Sequence, residues 1–154
     1  MRVYLDTNIL AFLLLDNGEV SDDVQVILDD YDNALMTSVV CADELIHLCQ
    51  IGKIPVNKKG IIKSPKDITE WLEGNGIQIV GVNKNHLDVV AGLHLYDDHR
   101  DPNDRLIIAQ AISDKIPLIS SDHKFIRYET LRIFGSVSRN EQTEQSDLDV
   151  CVEK

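Results

Sequence analysis

Val3-Tyr4-Leu5-Asp6-Thr7-Asn8-Ile9-Leu10-Ala11-Phe12-Leu13-Leu14-Leu15 opens with strand formers, passes through a polar triplet and continues as an apolar run. Asp6, Thr7 and Asn8 supply helix N-caps, so the segment reads as strand, turn, helix. The pattern recurs downstream. Ser21 caps a helix with Val24, Ile27 and Leu28 on one face, Asn33 breaks it, and Ala34-Leu35-Met36-Thr37 is a buried strand. From Val39 to Gln50 the apolar positions Val40, Leu45, Ile46, Leu48 and Cys49 follow helical spacing, with Glu44 near the edge of that face. Pro65, after Ser64 as cap, opens a helix that Gly74-Asn75-Gly76 closes, and Ile77 to Val82 is the next strand.

Leu87 to Leu95 reads as a short helix. Asp101 as N-cap, Pro102 at N1 and Asp104 at N3 then start another, which leads to the strand Pro117-Leu118-Ile119-Ser120 and to Asp122. Short apolar strands alternating with helices predict an α/β fold, a central parallel sheet flanked by helices on both faces. Ligands of such sheets bind outside the carboxyl ends of the strands. Asp6 and Asp122 both follow strands, and they share a rim if those strands are neighbours.

The 154 residues, 44% hydrophobic, suffice for one core and not for two. Fifteen Lys and Arg against 26 Asp and Glu give a net charge of -11, which repels polyanions at long range. Any nucleic-acid role must rest on a local basic patch or on bound metal. The segment from Ile51 to Ser64 is the candidate patch: Gly52, Pro55 and Gly60 mark a mobile loop, and Lys53, Lys58, Lys59 and Lys63 make it basic. The odd cysteine set, Cys41, Cys49 and Cys151, and a start without a signal-peptide pattern point to a reducing cytoplasm. No apolar run approaches the roughly 18 residues of a membrane span, so a soluble protein is expected.

Asp6, Glu44, Asp104 and Asp122 each have a local explanation, as helix cap, solvated helix position, first-turn acid or turn starter. Gathered by the fold, they form a carboxylate cage. Hard oxygen ligands of this kind select Mg²⁺ or Mn²⁺, ions that activate water and neutralise charge in phosphodiester hydrolysis. The five histidines form no His-Glu-x-x-His arrangement and the cysteines no Cys-x-x-Cys pair, which argues against zinc.

Four stretches together resemble the PIN-domain family, specifically the VapC-type toxin ribonucleases: Val-Tyr-Leu-Asp6-Thr-Asn-Ile-Leu, the helix carrying Glu44, Asp101-Pro-Asn-Asp104-Arg-Leu-Ile-Ile-Ala-Gln-Ala, and Pro-Leu-Ile-Ser-Ser-Asp122. The resemblance covers about residues 1–125, with the motifs in order. It implies that Asp6, Glu44, Asp104 and Asp122 are the catalytic, metal-holding quartet, with Asn8 and Ser120 as supporting polar groups. It also implies metal-dependent RNA cleavage, homodimers and a cognate antitoxin. Asp101 is assigned to helix capping, as the nearest candidate for a fifth acid. Arg105 is read as holding phosphate or pairing with a neighbouring acid.

The end of the chain departs from that pattern. Leu131-Arg-Ile-Phe-Gly135-Ser136-Val-Ser-Arg139 and Ser146-Asp147-Leu-Asp149-Val150 resemble the opening motif of a minimal nucleotidyltransferase, over about residues 129–154. Gly135 and Ser136 could cradle phosphate through backbone N–H groups, and Asp147 and Asp149, two apart, project to one face of a strand. The family needs a third carboxylate on a later strand, and Asn140 stands where a glycine is common. The division expected is a PIN-like nuclease domain over 1–128 and a tail over 129–154 that is a vestigial fragment, packed as a terminal strand or appended. Two rival readings follow: a PIN fold reduced to a binding module, and a nucleotidyltransferase-related protein.

Overall fold

The computed structural model describes residues 1–16, 18–56, 60–128 and 133–135, the last three by backbone alone. Strand β1 spans Arg2–Leu5 and helix α1 Thr7–Leu15; α2 (Asp22–Asp29), β2 (Ala34–Ser38) and α3 (Val39–Gln50) follow. A 3-10 turn at Pro65–Asp67 precedes α4 (Ile68–Gly74), then come β3 (Ile77–Val80), α5 (Lys84–Gly92), α6 (Pro102–Asp114) and β4 (Leu118–Ser120). A second 3-10 segment, His123–Arg127, leads to β5 (Ile133–Gly135). All strands run parallel in the order β3-β2-β1-β4-β5. This is the α/β architecture the alternating pattern predicts.

Strand order decides where a site can form. The chain steps outward from β1 through β2 to β3, then crosses back to place β4 on the other side of β1, so the order reverses between β1 and β4. Such a reversal opens a crevice at the carboxyl ends of the two strands. Leu5 is in register with Ile119, and Asp6 donates its N–H to the Ile119 carbonyl at 3.0 Å. Asp6 and Asp122 therefore sit on one rim, because their strands are neighbours. Val3, Leu5, Leu118 and Ile119 are fully buried, as strands covered on both faces require.

Several boundaries differ from the sequence reading, and α5 ends at Gly92 rather than Leu95. Helix α5 starts at Lys84, three residues earlier than read, because Asn83 caps it: the Asn83 Oδ1 accepts from the His86 N–H and the His86 Nδ1 accepts from the Asn83 N–H. A histidine here fills the place that glutamate usually takes in a capping box. Strand β3 stops at Val80 rather than Val82, and Pro65 opens a 3-10 turn before α4. After α3, Ile54 and Ile62 are buried. Among the described residues no helix is long and apolar enough to cross a membrane.

Candidate metal centre

Asp6 caps α1 at the end of β1 and is 5% exposed. Its Oδ1 accepts from the Thr7 N–H at 2.7 Å and its Oδ2 from the Ser120 hydroxyl at 2.8 Å. Burial nevertheless pushes its carboxyl up to about 7; those two hydrogen bonds oppose the shift, while Asp104 and Glu44 add to it by repulsion. Ser120 also accepts from the Asp122 N–H at 3.0 Å, so one hydroxyl ties the ends of β1 and β4 together.

Glu44 projects from α3 toward the same rim, where its Oε2 accepts from the Thr7 hydroxyl at 3.1 Å. Burial raises its carboxyl above the usual range, and Asp104 and Asp101 raise it further. Asp104 stands in the first turn of α6. Its carboxyl is also raised, by burial first, then by repulsion from Asp101 and Asp122 and against the pull of His99. The four acids of the sequence reading are thus linked by mutual repulsion across the rim. A cation would relieve it.

The other named residues take varied places. Asp101 caps α6, accepting from the Asn103 N–H at 2.8 Å and the Asp104 N–H at 3.4 Å. Asn8 is exposed, and its amide donates to the Ser121 hydroxyl at 3.3 Å. Arg105 is 9% exposed, and its guanidinium turns to backbone carbonyls at the end of α5, donating to His94 at 2.9 Å and to Val90 and Leu93 at 3.4 Å. It clasps two helices. Lys53 and Lys63 are exposed, and Gly135 ends β5. Lys58, Lys59, Ser136, Asp147 and Asp149 lie outside the described residues.

Two groups at the site were not read from the sequence. Single ligand atoms of His99, Asp104 and Asp122 lie within 4.8 Å of one another, a spacing that a single cation could bridge. His99 is 4% exposed, with Nε2 3.3 Å from Asp104 Oδ2 and Nδ1 2.7 Å from the Tyr128 hydroxyl. No spacing pattern marks His99, because Tyr128 lies 29 residues away and meets it only through the fold. The donor set of carboxylate oxygens with one imidazole at its edge fits a hard divalent ion.

The profile of the PIN domain family matches residues 3–131, and that of a nucleotidyltransferase domain matches residues 120–153. Among solved structures the chain is similar to VapBC2 from Rickettsia felis bound to a promoter DNA fragment, with 18% identity, a TM-score of 0.60, and 88% of this chain and 98% of that chain covered. DNA-bound VapBC from Salmonella typhimurium gives 16% identity and a TM-score of 0.61, and VapBC-1 from nontypeable Haemophilus influenzae 20% and 0.60, both with the same coverage. At these identities the likeness is one of fold. No curated protein matches the chain in sequence.

Proposed function

The chain belongs to the PIN-domain family, and from that premise we propose that it is a metal-dependent endoribonuclease, the toxin of a toxin–antitoxin pair. The observation that carries this reading is the rim of carboxylates: Asp6, Glu44 and Asp104 all have raised pKa values, from burial and from facing other acids. Acids held together against their own repulsion are characteristic of functional sites. Ligand oxygens of Asp104 and Asp122 lie within 4.8 Å of one another, and Asp6 and Glu44 complete the cage. The ion is Mg²⁺ or Mn²⁺.

A divalent ion held there supplies an activated water at neutral pH and offsets charge on the phosphate. The protein's own part is positional. Thr7 and Ser120 fix the oxygens of Asp6, Thr7 fixes Glu44, and the N-cap of α6 fixes the turn from which Asp104 projects. The substrate is RNA, and Lys53, Lys58, Lys59 and Lys63 contact its backbone beyond the cleavage point. The chain works in the cytoplasm as a homodimer, restrained by an antitoxin. Residues 1–128 are the nuclease domain and 129–154 a tail whose strand β5 edges the sheet.

The experiment is incubation of purified protein with single-stranded RNA in Mg²⁺, in Mn²⁺ and in chelator, with Asp6→Asn in parallel. Cleavage that needs metal and Asp6 supports the reading, and equal behaviour of the two proteins refutes it. The match of residues 120–153 to a nucleotidyltransferase domain favours a second reading. In that reading the altered tail leaves a PIN fold that binds its partner without turnover, and calorimetry beside the same assay then gives partner binding with no cut RNA. ATP binding that depends on Asp147 and Asp149 would instead mark a nucleotidyltransferase.

A further inference from the structure

Tyr128, His99 and Asp104 form a chain of hydrogen bonds through the two nitrogens of one imidazole. The Tyr128 hydroxyl lies 2.7 Å from His99 Nδ1 and has one proton to give it. An imidazole that accepts at Nδ1 carries its hydrogen on Nε2. That nitrogen faces Asp104 Oδ2 at 3.3 Å, whereas the opposite tautomer would aim a lone pair at a carboxylate oxygen.

The ring has little freedom to do otherwise. It is 4% exposed, packs 5.4 Å from the Phe125 ring and 5.6 Å from the Tyr128 ring, and its backbone N–H donates to the Tyr96 carbonyl at 3.1 Å. We propose that His99 is a positioning residue: accepting from Tyr128 at Nδ1 and donating from Nε2, it holds Oδ2 of Asp104 and turns that carboxylate toward Asp122. The effect is to present one oxygen of Asp104 to a cation in a fixed direction. Partners that orient a metal ligand in this way typically contribute ten- to hundredfold in affinity. The role rests on the nuclease reading, since it takes Asp104 to be a cation ligand.

The test is Mn²⁺ titration calorimetry on the full chain and its variants, joined to nitrogen NMR of the metal-free protein and pulsed electron resonance of the Mn²⁺ complex. His99→Leu is expected to weaken Mn²⁺ binding about ten- to hundredfold. His99→Gln, whose amide can donate where Nε2 does, is expected to restore most of that loss. In the metal-free wild type the His99 resonances report hydrogen on Nε2, and in Tyr128→Phe, which keeps the ring and loses the hydroxyl, they shift toward a mixture of tautomers. Hydrogen on Nδ1 in the wild type, or equal affinity in His99→Leu and wild type, overturns the proposal and leaves the nuclease reading standing. Nitrogen coupling from His99 to bound Mn²⁺ also overturns it, because His99 would then be a ligand. Wild-type protein that binds no Mn²⁺ overturns the nuclease reading and this proposal together.

Discussion

Asp6 is where the stability of the protein and its proposed chemistry pull in opposite directions. Burial raises its carboxyl from 3.8 to about 7, so between those values the folded state holds a proton that the unfolded state has released. The stabilisation is therefore full below about pH 4 and is lost as pH rises through about 7, a loss on the order of a few kcal/mol. Two predictions follow from that sign. Mn²⁺ is expected to raise the melting temperature more at pH 8 than at pH 6, because at pH 8 it compensates a charge that is already present; thermal melts at both pH values measure this. Asp6→Asn removes the buried charge and keeps an acceptor for the Thr7 N–H, so without metal it is expected to melt several degrees higher than wild type at pH 8, at about 2–4 °C per kcal/mol, and to lose its response to Mn²⁺. A lower melting temperature would contradict the account of Asp6. That an acid stands here was legible in the sequence, since a capping residue directly after an apolar strand marks a rim position. His99 and Tyr128 were not legible: their contact depends on the 3-10 segment after Asp122 folding back toward the start of α6.

At the scale of elements, α5 and α6 are held together by the buried Arg105. Arg105 donates to the carbonyls of Val90, Leu93 and His94 at the end of α5, and its planar fork reaches several at once. Lysine offers a single point of donation. Arg105→Lys is therefore expected to cost roughly 1.5–3 kcal/mol, the range for hydrogen bonds to a charged group, and to speed hydrogen exchange in the last turn of α5. Unchanged exchange there would show that the clasp is not what holds α5. The start of α6 was readable because Asp101, Pro102 and Asp104 satisfy the local rules for a helix N-terminus. The role of Arg105 was not, since an arginine beside acids reads as an ion-pair partner until the fold shows which carbonyls it meets. The start of α5 was missed for a related reason: Asn83 and His86 cap it by a reciprocal bond in an unusual residue pair.

At the scale of the whole molecule, strand order does most to define the site, because the reversal between β1 and β4 brings Asp6, Ser120 and Asp122 to one crevice. The order could not be read from a list of strands, though the parallel sheet could. Strand β5 extends the sheet past residue 128, pairing Leu118 with Ile133 and Ser120 with Gly135. Truncation after Tyr128 removes β5 and bares the edge of β4; the shortened chain is expected to melt lower and to self-associate, as exposed strand edges do, and a monodisperse, equally stable product would contradict this. Charge also acts at this scale. With a net charge of -11, RNA has to be held locally, and a strand laid along α3, about 18 Å for its 12 residues, could join the rim to the lysine segment. Lys53→Glu with Lys63→Glu is expected to weaken RNA binding and flatten its salt dependence by about 0.7 for each lost phosphate contact; an unchanged slope would remove these lysines from the interface. The most direct test of the central claim is anomalous diffraction from crystals soaked in Mn²⁺. The account predicts a manganese peak between Asp104 and Asp122, with Asp6 and Glu44 closing around it. A peak at Asp147 and Asp149 alone, or none at the rim, would contradict it.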